Sequence, residues 1–209
     1  WAVDSRDSSL LKRVTAFFSS ARAEGRLASI LDSYYGATDR FDYIQARVFM
    51  EHIESRLPQY RHWFKEAAAE AGVDWRLLAA VGYQESHWDP TATSHTGVRG
   101  LMMLTEDTAR ALNVVDRLDP RASIFGGAKY FVWLREQIPK RILEPDRTWF
   151  TLAAYNVGVG HLEDARILTQ MHGKNPDAWS DVRDHLPLLT RAKWYKRVKR
   201  GYARGWEPV

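Results

Sequence analysis

The sequence predicts a mostly α protein, and three observations carry that expectation. Apolar residues recur at intervals of three and four along most of the chain. The alternation expected of half-buried strands is nearly absent. Asp, Ser and Thr caps and Gly or Pro stops punctuate the periodic stretches. A length of 209 residues with 45% hydrophobic content suits one fair-sized domain or a domain with an appendage.

The elements follow in order. Asp7-Ser8-Ser9 offers an N-cap to a helix whose apolar members are Leu10, Leu11, Val14, Phe17, Phe18 and Ala21. Beyond Gly25, Leu27, Ile30, Leu31 and Tyr34 form a second short face that stops at Gly36, and residues 37–43 read as a polar linker. Helical spacing resumes at Ile44 and runs through Val48, Phe49 and Ile53 to Pro58. It continues through Tyr60, Phe64, Ala67 and Ala71 to a stop at Gly72. Asp74 caps the next helix, whose Leu77, Leu78 and Val81 share one side with Glu85, and Asp89-Pro90 is expected to end it. The stretch "TATSHTGVRG" reads as a loop or small hairpin. Thr105 caps "EDTARAL", Asp119 precedes a proline at the first position of "ASIFGGAKYFVWLREQI", and Asp146 or Thr148 starts "WFTLAAYNVG". Further helical pieces run to a basic end.

Composition narrows the chemistry. With no cysteine, disulfides, thiolate nucleophiles and Cys-ligated zinc are excluded. The nine tryptophans and nine tyrosines fill core for the most part, although such rings also line clefts that stack on sugars or bases. A net charge of +4 is concentrated in Arg191, Lys193, Lys196, Arg197, Lys199, Arg200 and Arg204, a pattern more often a solvated face than a polyanion site. No apolar run reaches transmembrane length and no signal peptide is visible. The opening "WAVDSRDSS" lacks an initiator methionine and reads as the middle of a longer chain.

Glu85 is the residue most in need of explanation. Burial at the C-terminal end of an apolar helix face disfavours its charged form, and so does the negative end of the helix dipole. A carboxyl still protonated near neutral pH is suited to protonate a leaving oxygen, as in glycosidic bond cleavage. From spacing alone, a glutamate whose stem packs while its head reaches water is the commoner case. Gly97 and Gly100 permit unusual backbone angles beside a ligand, Met102 and Met103 offer a soft apolar wall or core filling, and Tyr155-Asn156 places two polar side chains at the end of an apolar helix.

Taken together, "YQESHWDP", the loop with Ser94 and "GVRGLMMLT", and "AAYNVGVG" resemble the successive motifs of the family 1 lytic transglycosylases, lysozyme-like enzymes that cut peptidoglycan. The resemblance spans roughly residues 60–200 and implies a lysozyme-like helical domain with a small loop or hairpin beside a cleft. The double methionine is similar to the membrane-bound F branch, which joins a solute-binding-protein-like module to the catalytic one. On that reading residues 1–36 are the end of the upstream module, 37–58 a linker and connecting helix, and 59–209 the catalytic domain.

Carried over residue by residue, the resemblance makes Glu85 the single catalytic acid, with Ser86 and Gly100 as structural neighbours. It places Ser94, Met102, Met103, Tyr155, Asn156 and Tyr195 at the substrate. Met103 stands where most members have glutamine. The implied reaction cleaves the bond between N-acetylmuramic acid and N-acetylglucosamine without water, giving 1,6-anhydromuramyl products and calling for no metal and no cofactor. A single carboxylate suffices for this, whereas most glycoside hydrolases use two. Asp89 is the candidate second carboxylate of a lysozyme-type hydrolase, but a turn role is commoner before proline. His87 and His95 lack the accompanying ligands of a metal site. The remaining alternative is a non-catalytic glycan-binding module. The resemblance implies peptidoglycan strands, muropeptides and the upstream module as partners, not nucleic acid, and a periplasmic location peripheral to the outer membrane of a Gram-negative bacterium.

Overall fold

The computed structural model describes residues 9–23, 26, 43–94 and 97–203. The expected helical face over 27–34, the linker at 37–42, Asp7, Ser8, His95 and Arg204 lie outside the described residues. The chain divides into two compact units, Trp1–Tyr43 and Ile44–Val209. In the first, α1 (Ser9–Ala23) leaves Leu10, Leu11 and Phe17 exposed and sets the Phe17 and Phe18 rings edge to face at 5.6 Å.

The second unit is a bundle of helices in which capping chemistry sets the boundaries. After α2 (Tyr43–Ser55), α3 runs Leu57–Ala71 with Pro58 in its first turn, where a missing N–H is harmless. Gly72 ends α3 in the left-handed conformation (φ 65°), its N–H bonding back to Ala68 and Ala69. Asp74 accepts the Arg76 N–H at 2.8 Å and opens α4 (Trp75–Ser86). Thr105 caps α5 (Glu106–Ala111) through Thr108, and Asp119 caps α6 (Pro120–Gln137) through Ala122. Then come α7 (Asp146–Val157), α8 (Val159–Met171), α9 (Trp179–Val182), a 3-10 turn (Leu186–Thr190) and α10 (Ala192–Tyr195). Among the described residues, extended pairing is limited to an isolated antiparallel bridge between Thr93 and Arg99, which closes the expected small hairpin. No helix of the described residues is long and apolar enough to cross a membrane.

One boundary differs from the sequence reading. Helix α4 stops at Ser86, three residues before Asp89, because His87 and Trp88 both adopt positive φ (52° and 56°). Two consecutive non-glycine residues in that region are held there by specific contacts. The Trp88 indole is buried and donates to the Ala79 carbonyl at 2.8 Å, and Arg56 donates to the His87 carbonyl at 3.0 Å.

Helix α6 is the spine of this unit, packed by α3, α4 and α7, with α8 against α7. One core cluster joins α3, α4, Trp88, residues 101–104 and α6 around Phe64, Leu78 and Phe131. A second joins the end of α6, α7, α8 and the C-terminal turns around Phe150, Leu162 and Leu189. Burying each of these large side chains contributes roughly 1.5–3 kcal/mol. Tyr130, Trp149 and Tyr155 pack against both clusters, so the seam between them is lined with aromatic groups.

Candidate active site

Glu85 sits in the last turn of α4, on the side that also presents Leu78 and Val81 to the core. Its neighbours are the seam aromatics: its charge pushes up the hydroxyl pKa values of both Tyr130 and Tyr155, behind the larger effect of their own burial. Burial likewise pushes the Glu85 carboxyl from its ordinary 4.5 up to about 7, and no described residue offers it a hydrogen bond or a cation. Glu85 is therefore a carboxyl whose protonated form is still well populated near neutral pH.

The backbone beside the acid is fastened at three successive points. The buried Ser86 hydroxyl bonds to the Leu101 carbonyl at 2.8 Å and to the Gly82 carbonyl at 3.1 Å, tying the end of α4 to the next loop. The Met102 N–H donates to the Ser123 hydroxyl of α6 at 3.0 Å, and the Met102 carbonyl accepts from the Tyr155 hydroxyl of α7 at 3.0 Å. Three helices thus converge on residues 101–102.

Glycines make that convergence possible. Gly100 has φ 95°, and a Cβ there would lie 2.2 Å from the Arg117 carbonyl oxygen, so this position excludes other residues. A Cβ on Gly127 would meet the Met102 side chain at 2.7–2.9 Å, and one on Gly82 would meet the Met102 sulfur at 3.0 Å. Each of these two helix-interior glycines loses up to about 1 kcal/mol relative to alanine, a loss that the close approach of α4, α6 and Met102 explains.

The expected site residues fall into three groups. Glu85 and Tyr155 are electrostatic neighbours, and Ser86 and Tyr155 bond to residues 101–102 directly after Gly100. Met102, expected to touch substrate, has no exposure at all; its side chain is core, and what it contributes at the site is its backbone. Met103 follows, half-buried and in the left-handed conformation (φ 46°). Ser94 lies in the hairpin, its hydroxyl accepting the Val98 N–H at 3.0 Å. Asn156 is exposed at the end of α7, and Tyr195 is half-buried with its ring edge-on to Tyr202 at 5.6 Å. Ser94, Asn156 and Tyr195 make no hydrogen bond to Glu85. Asp89 is occupied elsewhere: one of its oxygens accepts both the N–H and the hydroxyl of Thr91, at 2.8 and 2.7 Å.

Tyr130 is a neighbour of the acid that the sequence reading missed. It lies edge-on to Tyr155, ring centroids 5.1 Å apart, and stacks on Trp133 at 5.9 Å. In "GGAKYFVWL" it looks like another core aromatic, and only its spacing of three from Gly127, which brings α6 close to the site loop, hints otherwise.

A helical unit with no strand among its described residues agrees with the lysozyme-like class that the sequence leads us to expect. Comparison with known proteins is more specific. Residues 62–177 match the model of the transglycosylase SLT domain, and the chain belongs to that family. It is 57% identical to the membrane-bound lytic murein transglycosylase F 1 of Alkalilimnicola ehrlichii, over 100% of this chain and 42% of the relative. Identity to the membrane-bound lytic murein transglycosylase F of Marinobacter nauticus is 54% over 98% of this chain and 41% of the relative. For the Pseudomonas syringae protein of that name it is 53%, over 100% and 42%. The chain therefore spans about two fifths of the length of these relatives.

Proposed function

We propose that this chain cleaves peptidoglycan glycan strands between N-acetylmuramic acid and N-acetylglucosamine, without water, with Glu85 as acid and then base. The observation that carries this reading is a lone buried carboxyl without an ionic partner, whose pKa burial pushes up to about 7. Protonated Glu85 donates its proton to the bridging oxygen as the C1–O bond breaks, and positive charge develops on C1 and the ring oxygen. The resulting carboxylate faces that charge. It then takes the proton of the muramyl 6-hydroxyl as the O6 lone pair closes on C1, which yields the 1,6-anhydro sugar and returns Glu85 to its starting form.

No second carboxylate is required, in keeping with the commitment of Asp89 to Thr91. Tyr155 holds the Met102 carbonyl and Ser86 holds Leu101, so the loop facing the acid is rigid before substrate arrives. On this reading Ser94, Met103, Asn156 and Tyr195 bound the cleft. Residues 1–36 are the end of a solute-binding-like module, and the whole protein works in the periplasm, peripheral to the outer membrane. The membrane-bound names of the relatives agree with that location.

The experiment is turnover of purified peptidoglycan by three proteins: parent, Glu85→Gln and Asp89→Asn. Loss of product with Glu85→Gln and retention with Asp89→Asn are expected. Loss with Asp89→Asn in a folded protein would point instead to a hydrolase with two carboxylates.

A further inference from the structure

Resting on the peptidoglycan reading, we infer that the segment 191–200 is a cationic strip that binds the carboxylates of the stem peptides carried by the glycan strand. Its sequence, "RAKWYKRVKR", holds six cations in ten residues and no acid. All six side chains are exposed, and among the described residues none is in an ion pair. Lys193 and Arg197 instead lie over the Trp194 ring, at 4.8 and 5.3 Å.

What separates this segment from an ordinary solvated tail is how it is held. Asp164 of α8 is 1% exposed, and its carboxylate accepts three successive backbone N–H groups, from Lys199, Arg200 and Gly201, at 3.2, 2.8 and 3.0 Å. A buried carboxylate needs such donors, and here they come from the last two residues of the strip and from Gly201 just after it. The stem of Arg200 crosses Gly160 so closely that a Cβ there would fall 2.9 Å from its Cγ and Nε. Gly160 is four residues after Asn156 and five after Tyr155, in the first turn of α8. The strip is thus fastened to the junction of α7 and α8, beside the turn that anchors the acid's loop.

The chemistry fits a polymer whose every repeat carries peptide carboxylates. A single exposed ion pair is weak, so affinity must come from several at once and must fall with salt. Asp164 is a positioning residue in this scheme, setting where the cations stand.

The test measures binding of end-labelled glycan strands by fluorescence anisotropy. The 209-residue chain carries Glu85→Gln so that substrate persists, and the strands either keep their stem peptides or have them removed by an amidase. Expected are tighter binding to peptide-bearing strands at low salt and a loss of about tenfold with Lys196→Glu/Lys199→Glu, whereas stripped strands change less than about twofold. Arg200→Met, which keeps the stem over Gly160, is expected to lower binding only to peptide-bearing strands. Equal losses on both strand types, or none, would overturn the inference. So would charge-reversal losses confined to phosphatidylglycerol vesicles or to single-stranded DNA. Product release by the parent chain reports separately on the catalytic reading, so either can fail without the other.

Discussion

Replacing Glu85 by glutamine should stabilise the protein, and only at high pH. Burial raises the carboxyl from 4.5 to about 7, so its folded form resists ionisation that the unfolded chain accepts freely. For an acid shifted upward, stability is lost as pH climbs from about 4.5 through 7, and above that range the loss is about 3 kcal/mol. Glutamine keeps the shape and cannot ionise. The variant should match the parent near pH 4 and exceed it by about 3 kcal/mol at pH 8, or by roughly 6–12 °C in Tm for a unit of this size. Denaturant unfolding of both proteins across that range gives the difference directly, because every other titrating group is common to both. A stability difference independent of pH, or a parent more stable than the variant at pH 8, would refute the claim that Glu85 is held protonated by burial.

Other outcomes follow from the same geometry. Tyr155→Phe removes the donor to the Met102 carbonyl and should cost about 1–2 kcal/mol in unfolding free energy. It should also lower turnover by loosening the loop that faces the acid, with fold retained by circular dichroism. Gly127→Ala drives a methyl into Met102 and should cost about 1–3 kcal/mol. Met102→Ala in the same chain should recover part of that loss, and simple additivity in the double-mutant cycle would mean that the two residues are not in contact.

Much of the fold was legible because it is local. Asp74, Thr105 and Asp119 cap helices where the sequence places them, and Gly72 ends α3 in the conformation glycine favours. Glu85 was legible for the same reason, as a carboxylate on an apolar helical face. Asp164, between Leu162 and Ala165, carries the same signal and went unread; its partners are backbone groups 35–37 residues away, which no periodicity reveals. The early end of α4 depends on Trp88 reaching Ala79 and on Arg56 reaching His87, the latter a long-range contact from the turn between α2 and α3. The burial of Met102 depends on glycines from two helices meeting around it. Motif position alone suggested a ligand-facing side chain there, while packing made it core.

The central claim is that Glu85 cleaves the glycan alone, as acid and then base, without water. Mass spectrometry of the soluble products of purified peptidoglycan, digested by the parent chain and by Glu85→Gln, tests it most directly. The account predicts 1,6-anhydromuramyl ends from the parent and no products from the variant. Reducing muramyl ends from the parent, or anhydro products that persist with glutamine at position 85, would contradict it.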